Sequence, residues 1–69
     1  MNFSDKIELS MTYAKKDRRE VAKKFGFTPQ GFYQRLKTGK FTAEELEAIA
    51  SAIGCEVKIE FVFPDGKTF

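Results

Sequence analysis

Apolar residues recur at helical spacing through residues 3–53 and then switch to alternation from Cys55 onward. Phe3, Ile7, Met11 and Ala14 fall three to four residues apart, and Leu9 and Tyr13 widen the stripe. With Ser4 as the capping hydroxyl, this predicts a first helix running to about Lys16. Asp17 with Glu20 three residues on forms a D-x-x-E capping pattern for a second, short helix. Its inner face is Val21, Ala22 and Phe25, and Gly26 stops it. Thr28 followed by Pro29 opens a third helix, since a threonine hydroxyl accepts from an orphan amide and proline has no amide to orphan. Phe32 and Leu36 then point inward at i,i+4, which leaves Gln30, Gly31, Tyr33, Gln34 and Lys37 on or near the outer face until Thr38-Gly39 ends the helix. Thr42 and Glu45 make a T-x-x-E capping box for a fourth helix, carried by Leu46, Ile49, Ala50 and Ile53 up to Gly54.

Beyond Gly54 the period becomes two. Cys55, Val57, Ile59, Phe61 and Phe63 alternate with Glu56, Lys58, Glu60 and Val62, as a half-buried strand does. Pro64-Asp65-Gly66 reads as a turn into the short return segment Lys67-Thr68-Phe69. The expected fold is mainly α: four helices over residues 1–54, with a C-terminal β-strand or short hairpin over residues 55–69 of the same domain. Sixty-nine residues cannot support two cores or a large catalytic cleft.

Composition narrows the function by exclusion. No run approaches the roughly 20 apolar residues of a membrane span, and Asp5 and Glu8 do not suit a targeting peptide, so the cytoplasm is the expected compartment. Cys55 is the one cysteine and there is no histidine, which argues against an internal disulfide or a thiolate metal site; no cofactor is implied. Catalysis is not expected either, because "TGKFT" lies between two helices without phosphate-loop spacing and no acidic pair suggests a pocket. Charge points elsewhere. The net value is +2, but residues 15–40 carry +7 while residues 41–69 carry −4, a dipolar arrangement suited to a polyanion on one face.

The basic block coincides with a helix, a tight turn and a second helix over Arg18–Leu36. A helix-turn-helix needs a small residue where its helices touch and a glycine at the turn, and Ala22, Gly26 and the inward Phe32 meet that need. Here the chain resembles the lambda-repressor-like, Cro and XRE family of bacterial and phage regulators. The resemblance runs over residues 4–54 and rests on "REVAKKFGFTPQGFYQRLKTGKFTAEELEAIASAIGC". It implies sequence-specific binding of double-stranded DNA, with the third helix (about 29–37) in the major groove of a palindromic operator, and a role as a small transcriptional regulator, a repressor. Gln30 and Gln34 take the positions that the resemblance marks as base-reading, with Pro29 and Tyr33 beside them; a glutamine amide matches adenine N7 and N6. Arg18, Arg19, Lys23, Thr28, Gly31, Arg35, Lys37 and Lys40 would then meet phosphates. Arg35 departs from the family, whose members usually have an apolar residue there, and Leu36 takes the packing role instead.

The C-terminal strand lies outside the resemblance. Alone it would expose unpaired backbone and the apolar face of Val57, Ile59, Phe61 and Phe63, so the expectation is a homodimer in which this strand pairs antiparallel with its copy. A second class of function keeps the helix-turn-helix as a scaffold and uses Phe27 and Tyr33 to anchor a protein partner.

Overall fold

The computed structural model describes residues 2–69 and is mainly helical. Four helices follow in order: α1 (Phe3–Ala14), α2 (Arg18–Phe25), α3 (Pro29–Thr38) and α4 (Ala43–Ile53). Each begins on a side chain that satisfies an amide the helix cannot. Asp17 accepts from the Glu20 N–H at 2.8 Å, Thr28 from Gly31 at 3.0 Å and Thr42 from Glu45 at 3.1 Å. In α2 and α4 the glutamate three residues on bonds back to the cap amide, closing the expected boxes. Gly26, Gly39 and Gly54 terminate their helices in the left-handed conformation, at φ 97°, 69° and 97°.

The first helix departs from expectation at both ends. Its cap is Asn2, whose side chain accepts from the Asp5 N–H at 2.8 Å, and not Ser4. Ser4 instead lies buried within the helix and its hydroxyl donates to the Leu36 carbonyl at 2.6 Å, tying α1 to the last turn of α3. A buried hydroxyl needs such a partner, and the acceptor it takes is 32 residues away in the chain. The far end closes two residues early, at Ala14, because Lys15 turns left-handed at φ 58°.

Packing centres on α2, which lies against both α3 and α4, while α1 lies against α4. Val21, Ala22 and Phe32 are fully buried where α2 and α3 meet; Ile7, Met11, Leu46, Ile49 and Ile53 extend this core between α1 and α4. With Ala22 at the contact and Gly26 at its end, α2 can turn into α3 over Phe27 and Thr28 alone. The Gly26 and Phe27 amides both donate to the Ala22 carbonyl at 2.9 Å.

Residues 55–69 form no regular strand, so the half-buried strand is not found in the single chain. Val57 packs on the helical core, and Ile59 and Glu60 then come alongside Ala43 and Glu47, so this stretch runs backward along α4. Beyond it, Phe61 and Phe69 exchange both backbone hydrogen bonds, at 2.9 and 3.1 Å, and the Phe63 amide donates to Lys67 at 2.8 Å, around a single antiparallel bridge between Val62 and Thr68. Alternation favours extended backbone, but a ladder needs a neighbour of matching length, and a three-residue return is too short to supply one. Ile59, Phe61 and Phe63, expected on a covered face, are exposed.

Candidate nucleic-acid interface

The outer face of α3 is set by what its inner face buries. Phe32 and Leu36 are committed to the core, so Gln30, Tyr33, Gln34 and Lys37 fall on the opposite side, one turn apart and exposed. Pro29 is exposed at the first turn beside them. Of the expected base-reading set, all four residues therefore share one accessible surface.

The start of α3 differs from the other three helix starts. Asp5, Glu20 and Glu45 stand at the third position of α1, α2 and α4, where a carboxylate bonds the cap amide. In α3 that position is Gly31, and no acidic residue lies in the first turn. A β-carbon at Gly31 would sit 3.1 Å from the Thr28 hydroxyl, a tight contact but one between the same two helical positions that hold side chains in the other helices. The cap by itself does not require glycine, and the result is a helix N-terminus whose partial positive charge is unneutralised. More widely, residues 21–43 contain no aspartate or glutamate and five cations, Lys23, Lys24, Arg35, Lys37 and Lys40.

Tyr33 organises one side of this face. The Arg18 guanidinium lies over its ring at 5.0 Å and the Lys37 ammonium at 4.9 Å, so a residue from the start of α2 and one from the end of α3 bracket a single aromatic. Glu8 of α1 pairs with Arg18, a contact that the residue pattern did not suggest because the two are ten residues apart on different helices. Arg19 and Lys23 are exposed on α2, and Lys40 is exposed in the α3–α4 turn. Thr28 already uses its hydroxyl as the cap acceptor.

Arg35, like Thr28, is an expected phosphate contact committed within the protein. Its guanidinium donates twice to the Lys40 carbonyl, at 3.2 and 2.9 Å, and once to the Glu45 carboxylate at 2.5 Å. It also lies 5.5 Å from the centroids of both the Phe27 and Phe41 rings. Nε and Nη2 are thus used inside the protein, where they hold the α3–α4 turn. The Arg35 hydrogen bond, followed by the Thr42 amide, keeps the Glu45 carboxyl below the usual carboxylate range. Phe27 is likewise not free: it is half-buried, packs on the core and stacks with Phe25 at 4.5 Å between centroids, which leaves Tyr33 as the exposed aromatic of the two proposed protein anchors.

Among the described residues no helix is long and apolar enough to cross a membrane, and no cluster of acidic, cysteine and histidine side chains could hold a metal ion. Comparison with protein-family models, with characterised proteins and with solved structures returned no match.

Proposed function

We propose that the chain is a sequence-specific DNA-binding protein of the lambda-repressor-like helix-turn-helix kind, acting as a small transcriptional repressor. In this reading α3 enters the major groove and Gln30 and Gln34 read base edges, with Pro29 and Tyr33 against the groove wall. The observation that carries it is the bare start of α3: polar, exposed and free of acidic residues, where the other three helices each place a carboxylate. A duplex phosphate is the ligand most favoured by an unneutralised helix N-terminus set in a basic surface.

Arg18, Arg19, Lys23, Lys37 and Lys40 supply the sequence-independent part of the affinity, and Gly31, with no side chain, lets the groove edge come close. Arg35 acts indirectly, by fixing the turn that carries Lys40. The chain works as a homodimer through its C-terminal segment, which would set two recognition helices on half-sites about 34 Å apart. In vitro selection from a random duplex pool tests the reading: an enriched two-fold symmetric site is the expected result, and a pool that stays random while the protein remains folded would overturn it.

A further inference from the structure

The chain exposes more surface than a compact protein of its size. Folded monomers follow a size law that gives about 4,400 Å² at this mass, whereas this chain of 7.9 kDa exposes 5452 Å². The excess, about 1,000 Å², is of the order that one partner contributes to a standard stable interface. Its radius of gyration, 13.1 Å, also exceeds the roughly 11 Å of a compact chain of this length.

Exposed apolar side chains are concentrated in two places. Apart from Tyr33, every large hydrophobic residue left exposed among the described residues belongs either to α1 (Phe3, Leu9, Tyr13) or to residues 59–69. On α1 these residues edge a groove that continues along α4, floored by Ile7, Ile49 and Ile53 and reaching Cys55. On the C-terminal segment they form a knob: Phe63 and Phe69 meet edge to face at 5.9 Å and 83°, with Phe61 paired to Phe69 through the backbone. Within one chain residues 55–58 line the Ile7–Ile49 part of the groove and the segment then continues toward Ala43, so no described residue beyond Cys55 lines the Leu9–Tyr13 part.

We infer that the occupant of the α1–α4 groove is the aromatic hairpin of a second copy of this chain, exchanged reciprocally about a two-fold axis. A groove and a knob on the same molecule are what an isologous pair needs, since each copy gives and receives the same contact. An aromatic side chain buries about 150–250 Å² in all, and Phe61, Phe63 and Phe69 keep half to three-quarters of theirs exposed, so entering the groove would remove a large part of the excess surface together with the groove walls. This contact differs from strand-to-strand pairing, and it does not depend on whether α3 meets DNA.

The test is complementation measured by sedimentation on the full chain. Leu9→Glu changes the groove and Phe61→Ser the hairpin, at residues 56% and 75% exposed, so the helical core should melt as before. Each variant alone should weaken self-association at least about tenfold. An equimolar mixture should recover association, because the Leu9→Glu chain still offers an intact hairpin to the intact groove of the Phe61→Ser chain. If Leu9→Glu unfolds, Tyr13→Glu, at a residue 91% exposed, replaces it. A wild-type chain that stays monomeric at high micromolar concentration, a groove variant that associates as tightly as wild type, or a mixture that remains monomeric would each overturn the inference.

Discussion

The two ends of α3 are built in opposite ways. At the C-terminal end Leu36 is buried, Ser4 satisfies the Leu36 carbonyl, and Arg35 is held by Phe27, Phe41, Lys40 and Glu45. Toward the N-terminal end the Gln30 and Gln34 side chains are exposed and bond no other residue, and the carboxylate that completes the other helix starts is missing. A helix held so firmly at one end and left so open at the other separates the work of positioning from the work of contact. Arg35 thereby joins the scaffold.

Substitutions can break that division if it is wrong. The largest effect belongs to the shared anchor. Phe32→Ala should cost about 3–5 kcal/mol, most of the stability expected of a domain this small, and denaturant unfolding should find the chain largely unfolded without any denaturant. Arg35→Met, at the locked end, should cost about 1–2 kcal/mol through lost charge-assisted hydrogen bonds; an unchanged unfolding midpoint would return Arg35 to the surface. Gly26→Val should cost about 1 kcal/mol or more, since a branched side chain is strained at φ 97°, and thermal melting would register it.

A pH series sharpens the same contrast. The Glu45 carboxyl is held below its ordinary value by Arg35 and the Thr42 amide, so its contribution is complete above the unfolded value of about 4.3 and is lost as pH falls through the depressed folded value. Wild type should therefore lose stability on acidification in that window, and Arg35→Met should lose less over the same range. Parallel stability curves would contradict the assignment. The smallest stability effects should come from the open end, where Gln30→Ala and Gln34→Ala should each change unfolding by less than about 0.5 kcal/mol.

How much of this was legible in the residues depends on the range of the interaction. The caps at Asp17, Thr28 and Thr42 and the stops at Gly26 and Gly54 depend on neighbours within four positions, and each stands where the pattern put it. The inward residues Val21, Phe32, Leu36, Leu46 and Ile49 also follow from period alone. Ser4 looked like a cap because a hydroxyl before an apolar stripe usually is one; its bond to Leu36 depends on how α1 meets α3, which no local pattern encodes. Lys15 ends α1 without the glycine that marks such a turn. Arg35 is basic in composition and structural in place, and only the approach of Phe27, Phe41 and Glu45 reveals it. In the C-terminal segment, alternation specified an extended chain but could not specify what covers it.

The central claim is that the open end of α3 reads bases. The direct measurement is the affinity of wild type, Gln30→Ala and Gln34→Ala for the selected duplex and for random duplex at one salt concentration. Each substitution should weaken selected-site binding by about 1–3 kcal/mol while random-duplex binding stays nearly constant, whereas Lys37→Ala should weaken both and reduce the salt slope by about one. Equal losses of selected and random binding in the glutamine variants would contradict the account.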